Sequence, residues 1–217
     1  MMSERPSSDS FLKHEVEDYE KRRYRGLDQR LVDQREKRIL RRILGEIHED
    51  MNITLDIPSG YGRFSDLLLE RGSALVSSDL SFHMVRRAKE RRSLGGFHSA
   101  VISDAKKGLP FKGEAFTVLV SMRFFHHLHK KEEREFILKE FSTVSSKWVI
   151  LTFYRRNLLH SIQRKLRRRI KKTKRRISMI SRREFQQEVN RAGLSVAKVF
   201  PLFRIFHAQH IVLLRKS

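Results

Sequence analysis

Cysteine is absent from this 217-residue chain. That excludes disulfide staples and thiolate metal sites and agrees with a reducing, cytoplasmic setting. Long apolar runs are missing as well. None approaches the roughly 20 residues that a membrane-spanning helix needs. The first ten residues, Met1 to Ser10, contain no apolar core, so they read as a short disordered lead and not as a signal peptide. Acidic residues are scarce: 25 Asp+Glu face 47 Lys+Arg, for a net charge of +22. The imbalance is local. Between Arg155 and Arg183 stand 14 basic residues and no acidic one. The 10 histidines form no His-Glu-x-x-His pattern, so no metal is expected. His126-His127-x-His129 is the nearest candidate, but adjacent helical residues are expected to point apart.

Length favours one domain. It is expected over residues 28–217, preceded by a lead over 1–27 in which Tyr19 and Tyr24 form either a lid or a frayed helix. Apolar positions at helical spacing predict a leading helix over 28–48 that packs on a sheet. Strands are predicted at 53–57, 74–79, 98–103, 116–121 and 147–153, with helices over 63–71, from Ser81 to Arg92, and over 130–144. Gly72 would close the first of these helices, and Phe136, Ile137 and Phe141 would share the buried face of the third. Ser181 and Glu184 form a capping box for a helix that ends before Gly193. The final apolar runs, 195–200 and 209–214, are too close for a crossover helix and are expected to pair as an antiparallel hairpin. The sum is an α/β fold: a doubly wound, mostly parallel seven-stranded sheet with helices on both faces and that hairpin at its end.

The most informative stretch is Ile53 to Arg63. A short apolar run ends in Asp56, a turn holds Gly60 and Gly62, and a helical pattern begins at Phe64. Glycines there let a ligand approach the backbone and adopt φ values that other residues avoid. The next apolar run ends in Asp79, where a carboxylate suits a pair of ribose hydroxyls. A nicotinamide-type fingerprint would need a third glycine where Ser65 stands. The stretch instead resembles motif I of the class I S-adenosylmethionine-dependent methyltransferases, with Pro58 in place of the first glycine. Asp79-Leu80-Ser81 with Met84 resembles the segment after that family's second strand. Ser103-Asp104-Ala105 with Leu109-Pro110-Phe111 resembles the one after its third. Phe116 to Ser121 with Phe125-His126-His127-Leu128 resembles the one around its fourth, with Thr117 replacing the usual Asp. The order and spacing are most similar to the small methyltransferases of ubiquinone and menaquinone biosynthesis.

The resemblance implies S-adenosyl-L-methionine as cofactor. It implies contacts from Asp56, Gly60 and Gly62 to the methionine portion, from Asp79 to the ribose, and from Leu80, Asp104 and Ala105 around the adenine, with Ser121 at the fourth strand end. His126 or His127 would be the general base, although methyl transfer from a sulfonium also runs on proximity and alignment alone. Arg123 would hold an acidic acceptor group, neutralise the cofactor carboxylate or face solvent. The basic stretch is read as a helical insertion over about 157–177, with Leu158, Leu159, Ile162, Leu166 and Ile170 on one face. Such a helix suits an anionic membrane surface. Its charge equally suits nucleic acid, and packing on the domain is the third reading. The leading reading is a methyltransferase for a small hydrophobic or lipid-linked acceptor, cytoplasmic and peripheral at a membrane. The alternatives are an RNA methyltransferase and a non-catalytic module.

Overall fold

The computed structural model describes residues 26–47, 50–70, 74–90, 97–156, 177–203 and 208–217. In chain order these form α1 (Leu27–Glu46), β1 (Ile53–Asp56), α2 (Ser65–Leu69), β2 (Ala74–Asp79), α3 (Phe82–Glu90), β3 (His98–Ile102) and β4 (Phe116–Ser121). After a 3₁₀ turn at Phe125–His127 come α4 (Lys131–Val144), β5 (Ser145–Tyr154), α5 (Arg182–Arg191), β6 (Leu194–Pro201) and β7 (Gln209–Lys216).

One seven-stranded sheet has the order β3-β2-β1-β4-β5-β7-β6. The first five strands are parallel, while β7 runs antiparallel between β5 and β6. Central parallel strands are covered on both faces, which is why β4 and β5 read as apolar runs without polar alternation. Their side chains nonetheless separate by period two. Leu119, Val149 and Leu151 enter the core beneath α4 and α5. Val118, Val120 and Ile150 enter the core beneath α1 and α2. Helix α1 buries Ile39, Leu40, Ile43 and Leu44 against that second face. Helix α5 starts on the expected capping box: Glu184 N–H donates to Ser181 Oγ at 3.1 Å, and Ser181 N–H donates to Glu184 Oε2 at 2.7 Å.

The sheet, its hairpin and the leading helix match the sequence expectation. Two local readings need correction. Helix α2 is confined to Ser65–Leu69 because residues before it stay in the glycine turn, with Ser65 N–H bonded to Gly62 O at 3.1 Å. On α4, Ile137, Leu138 and Phe141 are buried while Phe136 is 41% exposed. The buried arc is centred on Ile137, Leu138 and Phe141, and Phe136 lies about 200° around the helix from Leu138, outside that arc. The lead with Tyr19 and Tyr24, Gly72, and the basic segment through residue 176 lie outside the described residues. Ile177, the last position read as helical there, is described and is not in a helix.

Candidate active site

The carboxyl ends of β1, β2 and β4 converge on the glycine turn. Gly60 takes φ +53°, and a Cβ built on it would meet nothing within 4 Å. Gly62 takes φ +76°, and a Cβ there would stand 2.8 Å from Ala88 Cα on α3. The two glycines therefore do different work. Gly60 leaves an open space, whereas Gly62 lets the turn press against a helix. Asp79, at the tip of β2, clasps the turn. Gly60 N–H donates to Asp79 Oδ2 at 2.9 Å, and Ser81 N–H donates to Oδ1 at 3.1 Å. Burial raises the Asp79 carboxyl above its ordinary range, and backbone N–H groups of Ser81, Gly60 and Leu80 oppose the rise.

The end of β3 is tied to the same point, because Ser103 N–H donates to Asp79 O at 3.0 Å. Asp104 then turns the chain by accepting from Lys106 N–H at 3.0 Å, and Ala105 is buried beside it. Leu80 is 44% exposed, on the rim of the site and not in the core. Asp56 and Ser121 close adjacent strands; Asp56 pairs with Val120 across β1 and β4. Both are buried, and among the described residues Asp56 Oδ2 and Ser121 Oγ have no hydrogen-bond partner. Desolvation pushes the Asp56 carboxyl up to about 8, with Arg63 opposing and the Asp79 charge adding to the rise. Asp56, Gly60, Gly62, Asp79, Leu80, Asp104, Ala105 and Ser121 thus gather along one edge of the sheet.

The histidines follow on the 3₁₀ turn. Their rings do not diverge as adjacent helical residues would: the His126 and His127 centroids lie 4.0 Å apart, and the His126 ring is 4.8 Å from that of Tyr154. His126 is half-buried and His127 exposed. Thr117, where a carboxylate was expected, has a structural duty. Its Oγ1 accepts from Asn52 and Ile53 N–H, both at 3.1 Å, and donates to Ile53 O at 3.0 Å.

Sequence reasoning missed a buried ionic cluster. Glu36 of α1 is buried and accepts from Arg123 Nε at 2.8 Å, while Arg63 Nη2 lies 2.7 Å from its other oxygen. Gln209 Nε2 also donates to Glu36, and Tyr154 Oη donates to Gln209 Oε1 at 3.0 Å. Burial opposes ionisation of Glu36, but the two arginines prevail and hold its carboxyl below the ordinary range. Arg123 is therefore neutralised inside the protein and is not presented to an acceptor. The signal was available: Glu36 stands four residues before Leu40, on the stripe that α1 buries.

These elements have counterparts elsewhere. A family model described as "Methyltransferase domain" matches residues 55–168, more than half of the chain. The chain belongs to this family, the class I S-adenosylmethionine-dependent methyltransferases. The match is at superfamily level and singles out no quinone-type subgroup. No curated protein sequence matches the chain. Among solved structures, magnesium protoporphyrin IX methyltransferase from Synechocystis PCC 6803 with bound SAH is similar at a TM-score of 0.76 and 16% identity, over 95% of this chain and 97% of that one. A SAM-dependent methyltransferase from Methanosarcina mazei is similar at 0.66 and 18%, over 80% and 96%. A chain from the complex between the Haloferax volcanii Trm112 methyltransferase activator and a methyltransferase is similar at 0.65 and 15%, over 99% and 100%.

The residues of this methyltransferase fit its cofactor. Open space at Gly60 adjoins the buried, unsatisfied oxygens of Asp56 and Ser121, which call for a ligand carrying ammonium and hydroxyl groups. The raised Asp56 carboxyl also gives a pH signature. From about pH 4, the unfolded pKa, up to about pH 8 the unfolded chain releases this proton while the folded protein keeps it. The cofactor-free protein therefore loses stability as pH rises through that window, and the loss levels off above it. Asp56→Asn removes the titration, so its melting temperature relative to wild type should rise by roughly 8–15 °C between pH 5 and pH 8.5. Calorimetry without cofactor measures it. An advantage equal at both pH values would remove the assignment.

Proposed function

We propose that this methyltransferase moves the methyl group of S-adenosylmethionine onto a small hydrophobic or lipid-linked acceptor met at an anionic membrane surface, in the cytoplasm. One observation carries the acceptor half. The described residues that flank the basic stretch lie beside the histidine turn: Ser178 N–H donates to His126 O at 2.9 Å, and Arg156 N–H to Ile180 O at 2.9 Å. Both ends of the stretch, Arg156 and Ser178, are therefore anchored near the reaction edge. A basic amphipathic segment binds bilayers through both its faces.

When bound, the cofactor supplies an electrophilic methyl group on a positively charged sulfur. The chain's own groups do the rest. Gly60 admits the methionine portion while Gly62 holds the turn against α3, Asp56 and Ser121 offer acceptors to the cofactor's polar end, and Asp79 takes the ribose hydroxyls. Leu80, Asp104 and Ala105 flank the adenine. His126 or His127 accepts the proton that the acceptor's nucleophile sheds, with Tyr154 fixing the His126 ring. For the residue that serves as base, replacement by Ala should lower kcat by roughly 100-fold and leave S-adenosylhomocysteine affinity unchanged. Near-normal rates in both single variants would reduce catalysis to proximity alone.

The acceptor reading is tested by co-sedimentation with phosphatidylglycerol vesicles and by RNA gel shift at two salt concentrations. Wild type should sediment with vesicles, and Leu159→Ser/Ile162→Ser should not. If vesicles never bind while RNA binds with a steep salt slope, the acceptor is RNA and the lipid reading falls.

A further inference from the structure

A second cavity, of about 440 Å³, lies apart from the glycine turn, between α5 and the β5–β7–β6 side of the sheet. Its floor and walls are apolar or aromatic: Phe153, Phe185, Val196, Val199 and Pro201 line it. Phe153 and Phe185 stack with ring planes 1° apart and centroids 4.1 Å apart, which gives a flat, rigid base. Val199 stands 38% exposed at this wall, on the edge strand β6. The volume lies within the range of small-molecule sites.

The rim has the opposite chemistry. Arg155, just past the carboxyl end of β5, and Arg182, the first residue of α5, both line the cavity and are exposed. Among the described residues neither guanidinium has a carboxylate partner, whereas the nearby Arg156 lies 3.8 Å from Glu184. Lys198 also lines the cavity, but its ammonium is turned to Glu46 at 2.8 Å and is spent. His210 lines it too. Burial, chiefly, and the Arg155 charge depress its pKa, so it adds a neutral ring and no third cation. Gln186 adds an amide, and among the described residues no acidic side chain lines the cavity. An anionic group at this rim would meet two guanidiniums and the amino end of a ten-residue helix, each favourable to negative charge.

We propose that this cavity binds one amphipathic anion, an alkyl or prenyl chain ending in a carboxylate or phosphate. The chain lies along Phe153, Phe185 and Val199, and the head group sits between Arg155 and Arg182. The site is not the reaction edge, but it touches it. Phe185 meets Phe125 edge-on at 5.9 Å, and Phe125 precedes His126 on the turn. Its occupancy stands whether or not the membrane reading of the basic segment holds.

Calorimetry with dodecanoate below its micellar concentration tests the site in the full chain. Wild type should bind at one saturable site. Arg155→Gln/Arg182→Gln should weaken it by about 10-fold or more, as lost charge-assisted hydrogen bonds do. Val199→Asp, which places a like charge on an exposed edge position, should do the same. S-adenosylhomocysteine affinity should hold in both variants, which separates a lost cavity from a lost fold. Equal dodecanoate binding by wild type and both variants would overturn the proposal. So would butanoate binding as tightly as dodecanoate, or dodecyl maltoside doing so, because the site requires both tail and charge. Phosphatidylglycerol vesicles name the source. If the double arginine variant also loses vesicle binding, the ligand comes from a bilayer; if vesicle binding persists, it is a free single-chain anion. Either result supports the site.

Discussion

Asp79→Ala is expected to weaken S-adenosylhomocysteine binding by roughly 10- to 100-fold, the usual effect of losing about 1.5–3 kcal/mol of hydrogen bonding to a charged acceptor. Two mechanisms converge on this residue. Its carboxylate is the acceptor proposed for the ribose, and it already holds the glycine turn through Gly60 and Ser81. Each oxygen accepts one backbone N–H and keeps a further lone pair for a ligand hydroxyl. Asp79→Asn retains one carbonyl oxygen and should fall between wild type and Ala. Titration calorimetry reads both variants. An Ala variant with wild-type affinity would falsify the ribose assignment, and nicotinamide dinucleotide should give no heat with any form.

The largest expected loss of stability comes from a buried ion pair that touches no cofactor residue. Arg134 of α4 and Glu188 of α5 are both buried and joined by two parallel bonds, Nε to Oε2 at 2.9 Å and Nη2 to Oε1 at 2.6 Å. Removing one partner strands the other charge out of water, which typically costs about 3–5 kcal/mol. Arg134→Ala should therefore lower the melting temperature by roughly 6–20 °C for a chain of this size. Arg134→Met/Glu188→Leu removes both charges and fills the space, so it should recover most of that loss. Thermal unfolding of the two variants decides the matter. A double variant as unstable as the single one would show that the pair itself, and not the stranded charge, holds α4 to α5.

Much of the fold was legible because its signals are short-range. Strands β2 and β4 have the bounds read from their apolar runs, and the Ser181–Glu184 box starts α5 where the residue types require. The final hairpin followed from chain length alone, since about eight residues cannot hold a crossover helix. The motifs around Asp56, Asp79, Asp104 and Ser121 were legible for the same reason: each closes a strand or follows its end, and parallel strands bring their carboxyl ends to one edge.

What escaped depended on partners distant in the chain. Glu36 interrupts an apolar stripe until the turns after β1 and β4 bring Arg63 and Arg123 to it. Arg123 reads as a free cation until Glu36 neutralises it. Gly60 and Gly62 look equivalent, yet only the packing of α3 shows that Gly62 is required by Ala88 while Gly60 faces open space. The Arg155–Arg182 cavity needs β5, β6 and α5 assembled before it exists. The sequence by itself determined the alternation of strands and helices, the strand-end carboxylates and the concentration of charge between Arg155 and Arg183, because period, propensity and charge are local properties. Tertiary structure alone decided which charges are satisfied, which glycine opens a space and where a second cavity forms. Burial and pairing are properties of what folds against a residue, and that neighbour stands up to 173 positions away for Glu36 and Gln209.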